Sequence, residues 1–317
     1  MAFNVSKAKF TFFYINFARI LNYLSLLAFM QDTPKESEEN WTLIVSPKTK
    51  WFDLHLSDLW RYRDLVMMFV KRDFVSAYKQ TLLGPLWFVI QPLVATYLFL
   101  FVFSNIAHLS TGQIPPVLFY LSGLTVWNYF AICFNKTSNT FITNIAIFGK
   151  VYFPRLAAPF STIISTLITF GIQFFLFLSF LIYYIFSSDL SFHLTAYLLL
   201  IPYIVIIMGA LGLGAGIIIS SLTTKYRDLT NLIAFGVQFL MYLTTVVYSL
   251  DSIKGKRKLI IMLNPMTGII ETFRFAFFPK DRFNWHLLGY SSLFTLFVLI
   301  IGVLLFNKTE KKFMDTV

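Results

Sequence analysis

The chain has 317 residues, 57% of them hydrophobic and 13% charged, with a mean hydropathy of +0.70. Soluble domains carry about 25% charged residues, and the charges here are bunched: no Asp, Glu, Lys or Arg occurs over 81–135, 156–188, 190–224, 229–250 or 283–307. No soluble core of this size hides that much apolar surface, so composition excludes a soluble fold and points to an all-α membrane protein that crosses the bilayer repeatedly.

The net charge of +11 raises nucleic acid as a partner, but in so apolar a chain it reports cytoplasmic Lys and Arg and contact with anionic membrane lipid. No nucleic acid is expected. The single Cys133 allows no intramolecular disulfide, and His55, His108, His193 and His286 are scattered with no metal-ligand spacing.

In chain order, residues 1–40 read as an N-terminal extension. The stretch 18–30 is apolar but too short to span and lacks a small-residue cleavage site, and 32–40 is acidic and polar. The patterned region begins near Trp41, which favours Met30 as the physiological start; the alternative is a surface-lying N-terminal helix. Residues 41–80 form a cytoplasmic segment. Within it, 57–79 reads as an amphipathic helix, with Leu59, Tyr62, Val66, Phe69, Val70 and Ala77 on one face and Arg61, Asp64, Lys71, Arg72 and Lys79 on the other. It is suited to lie along the inner membrane surface.

Residues 81–317 read as a transmembrane domain of six spans: 82–106, interrupted by Pro85 and Pro92; 116–134; 157–186; 194–221, carrying Gly209, Gly212, Gly214 and Gly216; 232–250; and 287–306. The close glycines suit tight helix packing in lipid. Lys and Arg alternate between loops. Lys71, Arg72 and Lys79 precede the first span, Lys136, Lys150 and Arg155 follow the second, Lys225 and Arg227 follow the fourth, and Lys308, Lys311 and Lys312 close the chain. Both termini are therefore expected in the cytoplasm.

That parity places the loop 251–285 outside, although Lys254, Lys256, Arg257, Lys258, Lys280 and Arg282 make it basic. Its apolar run 259–270 is too short to cross, since a spanning helix needs about 20 residues. A seventh span there would carry Glu271 and Arg274 and put the lysine-rich tail outside; a charge at the bilayer centre costs at least ~2.5 kcal/mol. The loop is therefore expected to be re-entrant, with Asn264, Pro265, Glu271 and Arg274 shaping an outer gate. Glu271 and Arg274 stand at i, i+3 and can pair on one helix.

The chain carries no G-x-x-x-x-G-K-[ST] phosphate loop, no H-E-x-x-H and no paired carboxylates in its spans. Ion-coupled transporters use intramembrane charges; these spans have none. The energy source is expected on a nucleotide-binding partner, received by two cytoplasmic loops. One is 135–155, with Asn144, Phe148 and Lys150. The other is 221–231, with Tyr226, Arg227 and Asp228. Aromatic residues, 19% of the chain, suit lipid-facing packing, and a minority suit a conduit in which sugar rings slide over aromatic planes.

The run Leu59-Trp60-Arg61-Tyr62-Arg63-Asp64-Leu65, then Arg72-Asp73, Tyr78-Lys79-Gln80, Leu83-Gly84-Pro85-Leu86-Trp87 and Gln91-Pro92-Leu93, resembles the permease subunits of ABC-2 type polysaccharide exporters. The later segment Leu263-Asn264-Pro265-Met266-Thr267-Gly268-Ile269-Ile270-Glu271 with Phe273-Arg274 is similar to that family's signature between its last two spans. The resemblance covers about 41 to the C-terminus. It implies six spans in the bacterial cytoplasmic (inner) membrane, a homodimer with the conduit between copies, and two separate ABC ATPase subunits carrying ATP and magnesium. It also implies an interface helix before the first span, bearing Arg61, Arg63, Asp64, Arg72, Tyr78 and Lys79, a coupling helix after the second span, and a re-entrant helix pair after the fifth. The chain itself is expected to bind no cofactor and catalyse nothing. The implied cargo is a lipid-linked polysaccharide such as O-antigen. The rival readings are an ABC-2 permease for teichoic acid, capsule, lipid or drug, and a membrane-embedded transferase, which would need Asp/Glu/His clusters that the sequence lacks.

Overall fold

The computed structural model describes residues 60–79, 81–148, 153–187, 195–223, 228–279 and 283–314. All belong to the unit Lys50–Val317; the other unit, Met1–Thr49, and with it the expectations for 1–40 and the Met30 start, lies outside the described residues.

Every regular element among the described residues is helical. Helix α1, Arg63–Tyr78, buries Val66, Phe69 and Val70 at helical spacing. The chain then turns through Gly84, whose φ of +53° is a conformation that glycine adopts without penalty, and Pro85 opens a 3₁₀ turn, Gly84–Leu86. Helix α2, Trp87–Phe99, contains Pro92, whose ring removes a backbone donor and whose own carbonyl accepts from Thr96 Oγ1 at 2.7 Å. It widens into a π-type segment, Leu100–Ile106.

Helix α3, Pro116–Ser138, is the centre of the bundle: 78% of its most apolar stretch is buried. Two short turns follow, α4 (Thr140–Thr143) and α5 (Ile145–Phe148). Helix α6, Ala157–Ser187, runs for 31 residues, about 46 Å, and packs antiparallel to α3, with Asn128 Nδ2 donating to Gln173 Oε1 at 3.4 Å. A 3₁₀ turn, Ala196–Leu199, leads into α7, Leu200–Thr223. Helix α8 is Leu229–Tyr242; α9 and α10 are Lys256–Met262 and Pro265–Phe277, bent 88° to one another; α11 is Trp285–Met314.

Helices α3, α7 and α11 run parallel. Thr223 Oγ1, at the end of α7, donates to the Ser138 carbonyl at the end of α3 (3.2 Å), and Tyr203 near the start of α7 bonds Ser292 of α11 (2.9 Å). The α7 glycines explain the close approach. A Cβ at Gly216 would lie 2.6 Å from Thr137 Cβ, one at Gly212 2.8 Å from Cys133 Cβ, and one at Gly214 2.8 Å from Leu299 Cα.

Among the described residues, five apolar helical runs are long enough to cross a membrane: Gly84–Ile106, Pro116–Ser138, Ala157–Ser187, Ala196–Thr223 and Trp285–Thr309. They match the expected first, second, third, fourth and sixth spans. The chain is a multi-pass helical membrane protein. The expected fifth span, 232–250, is helical only in its first part: α8 has 14 residues, about 21 Å, and stops at Tyr242. There the Thr244 hydroxyl donates to the Met241 carbonyl at 2.6 Å, and the Thr245 and Val246 carbonyls accept from Arg274 in place of a helical partner. This segment is nonetheless buried, at 0% exposure for Thr244, Thr245 and Val246.

Candidate functional site

The expected gate residues lie on α10, and the local sequence sets its start. Asn264 accepts a hydrogen bond from the Met266 N–H (3.0 Å) as N-cap, and Pro265 occupies the first turn. Met266, Ile269, Ile270, Phe273 and Phe277 are buried. Phe273 and Phe277 pack against Phe177 of α6, tilted and edge-on, with ring centroids 5.6 and 4.9 Å away. The other side of α10 rests on α11, where Ser291 Oγ donates to the Pro265 carbonyl at 2.8 Å. Gly268 makes that contact possible, because a Cβ there would sit 2.7 Å from the Leu287 carbonyl oxygen.

Arg274 joins the parts. It is 3% exposed, and its guanidinium lies over the Phe119 ring at 3.5 Å. Nη2 donates to the Phe119 carbonyl at 2.9 Å and to that of Val246 at 3.3 Å, Nη1 donates to the Thr245 carbonyl, and Nε to Ser122 Oγ at 3.3 Å. The Glu271 carboxylate stands 3.7 Å from Nη1 at the i, i+3 spacing. One planar cation thus satisfies the carbonyls freed where α8 unwinds and ties them to the first two turns of α3. Irregular backbone at membrane depth is tolerated when it is buried and its polar groups are met. The sequence flagged Arg274 and Glu271 but not Phe119, Ser122, Thr245 or Val246. Three of these four accept through main-chain carbonyls, which leave no signature in residue type.

At the opposite end of α3, two groups that the sequence treated separately meet. Arg72 of α1 donates from Nη1 to Asn144 Oδ1 at 3.2 Å, bonds Asp73 at 2.8 Å, and lies over the Phe69 ring at 4.7 Å. Asn144 is 6% exposed and also bonds the Thr140 carbonyl (3.0 Å). Phe148 is buried between Phe141 (5.9 Å) and Phe153 (5.6 Å), Phe141 stacks on Phe306 of α11 (4.9 Å), and Arg155 covers Phe148 at 5.5 Å. Arg155 was read from the sequence only as a loop charge; it is 3% exposed.

The apolar face of α1 read from the sequence is covered by protein: Val66, Phe69 and Val70 pack with Phe141, Phe148, Phe153, Ala157 and Phe306. The side left outward carries Met67 and Met68, 62% and 67% exposed, beside Lys71. These two methionines and Lys71 help line an open groove of about 460 Å³ between α1 and α6.

The remaining expected site residues are dispersed. Arg63 pairs loosely with its neighbour Asp64 at 3.9 Å, both exposed, a contact worth at most about 1 kcal/mol. Arg61 and Lys79 are exposed, and Asp228 precedes the first residue of α8 on the surface. Lys150, Tyr226, Arg227 and the side chain of Tyr78 lie outside the described residues. Among the described residues no three His, Cys, Asp or Glu side chains cluster closely enough to hold a metal ion.

The chain is similar to several polysaccharide-export proteins. It is 27% identical over 253 residues to the O-antigen export system permease protein RfbA of Klebsiella pneumoniae, covering 80% of this chain and 94% of that protein. It is 23% identical to the protein of the same name from Myxococcus xanthus, over 70% of this chain and 83% of that one. It is 22% identical to the polysialic acid transport protein KpsM of Escherichia coli, over 77% and 93%. The profile of the ABC-2 type transporter membrane domain matches residues 64–278, from the first turn of α1 to the end of α10. The chain therefore belongs to the ABC-2 type transporter family.

Proposed function

We propose that this chain is the permease subunit of an ATP-driven exporter that moves a lipid-linked, O-antigen-like polysaccharide across a bacterial inner membrane. The observation that carries this reading is similarity to O-antigen and polysialic acid exporters along nearly the whole length of those proteins. The charge-free spans agree with it, because the work must then come from a partner. Two copies form the path, and two ABC ATPase subunits supply ATP and magnesium. The outward aromatics Tyr97 and Phe101 of the first span and Phe235 and Phe239 of α8 support a conduit between copies.

In this reading both termini are cytoplasmic. The Arg72–Asn144 contact and the Phe141–Phe148 cluster form the base on which the ATPase pushes, and α1 carries Lys71 and the outward methionines along the inner leaflet, where a pyrophosphate-linked lipid head would arrive. The α9–α10 pair dips into the bundle from outside. Arg274 reaches only the first two turns of α3, and Phe177 lies ten residues, about 15 Å, from the end of α6. Both contacts support a re-entrant pair over a complete span.

The test is reconstitution. The purified chain alone is expected to hydrolyse no ATP, and export of lipid-linked glycan into vesicles is expected only with the ATPase subunit and ATP. Hydrolysis by this chain alone, or export without nucleotide, overturns the reading.

A further inference from the structure

We propose that α9 and the residues before it form a docking surface for anionic phospholipid, in which Lys254, Lys256, Arg257 and Lys258 meet the lipid phosphates and Leu259, Ile260 and Leu263 enter the acyl boundary. The proposal rests on the reading that places the α9–α10 pair at the outer end of the bundle.

The residues themselves carry it. Four cations fall within five positions, with Asp251 the nearest acid in sequence. Lys254, Lys256 and Arg257 are exposed, and none of the four cations forms a salt bridge among the described residues. Gly255, at φ +69°, turns the chain sharply into α9. Directly after the cations, Leu259, Ile260 and Leu263 are 65%, 64% and 57% exposed. A cationic segment continuing into bare aliphatic side chains is the pattern of an interfacial helix. An acidic polysaccharide would satisfy the cations but leave three large aliphatics in water, so lipid accounts for both halves of the surface.

Depth agrees. The Tyr290 hydroxyl donates to the Leu263 carbonyl at 2.8 Å. Tyr290 is five residues into α11, about 7 Å along the axis from Trp285, and Trp and Tyr favour the headgroup zone. Anionic headgroups also account for the charge anomaly of this loop, since their phosphates offset cations that positive-inside topology disfavours on the outer side. The surface is not a loose tether: Thr267 Oγ1 of α10 holds the Ile261 carbonyl of α9 at 2.8 Å, so lipid contact bears directly on the helix that carries Arg274.

The test uses the full-length chain with Ile260→Cys carrying an environment-sensitive fluorophore; Cys133 is buried, and the parent protein measures background labelling. The protein is reconstituted in phosphatidylcholine vesicles with or without phosphatidylglycerol, and quenching by spin-labelled lipid is compared with quenching by iodide. Lipid quenching is expected to dominate with phosphatidylglycerol. In the K254Q/K256Q/R257Q/K258Q variant the apparent affinity for phosphatidylglycerol should fall tenfold or more, each cation near an anionic surface contributing on the order of fivefold. Iodide quenching that dominates in all vesicles overturns the proposal. So does equal lipid quenching with and without phosphatidylglycerol, or protection by soluble polysialic acid in place of phosphatidylglycerol. Because no ATP or glycan export is read, failure here leaves the exporter assignment standing, and failure of reconstituted export leaves this result interpretable.

Discussion

A single side chain joins α10, the start of α3 and the segment after α8. Arg274 meets carbonyls from Phe119, Thr245 and Val246, the Ser122 hydroxyl and the Glu271 carboxylate in one buried cluster. Removing one partner of a buried charged cluster costs about 3–5 kcal/mol, mostly because the others lose their bonds where no water replaces them. Arg274→Ala is therefore expected to lower the thermal midpoint of the purified protein as well as surface glycan, and Arg274→Lys to recover part of both, since an ammonium keeps the charge but loses the planar fork. Parallel melting curves and glycan blots check this; an unchanged midpoint in Arg274→Ala would remove the cluster from any role in stability. Glu271→Gln should be milder, because Glu271 remains 29% exposed to solvent.

Among the elements, α1 and the α4–α5 turns act together through one hydrogen bond, Arg72 to Asn144, above a shared aromatic cluster. Arg72→Ala leaves Val66, Phe69 and Val70 packed, so the protein should fold and reach the membrane. Export should drop several-fold while ATP hydrolysis by the assembled transporter persists, and the ratio of glycan exported to ATP consumed is the measurement. A proportional fall in both rates would assign Arg72 to assembly. The elements also show what sequence patterning conveys. The five long spans were legible because each is an uncharged apolar run bounded by a charged residue or Pro. The end of the fifth was not: Leu243–Leu250 is as apolar as a helix, and the partner its freed carbonyls meet, Arg274, lies far along the chain. The inward face of α1 was legible at Val66, Phe69 and Val70, but periodicity identifies an apolar face without naming what covers it. Here protein covers it, and the residues that do so come from positions as distant as Phe306.

For the molecule as a whole, the two clusters lie at opposite ends of α3, the most buried of the five long helices, with Ser122 tied to one and Ser138 bonded to α7 beside the other. The α4–α5 turns and the α9–α10 pair are thus joined by close-packed structure along α3 and its glycine-lined contact with α7. The proposed two-sided arrangement is testable directly: a cysteine at Ser252 should react with a membrane-impermeant maleimide in intact spheroplasts, and one at Asn307 only after lysis. The reverse pattern would invert the topology and, with it, the assignment of gate and drive ends.

The order of synthesis adds a consequence to the Arg274 cluster. Every partner outside its own helix, at 119, 122, 245 and 246, is translated before residue 274, and chains assemble from the N-terminus as they emerge. The guanidinium thus need not be partitioned into lipid as an isolated charge. The carbonyls that receive it have by then been made, so the segment after α8 supplies the polar groups that a charged helix needs in an apolar surrounding.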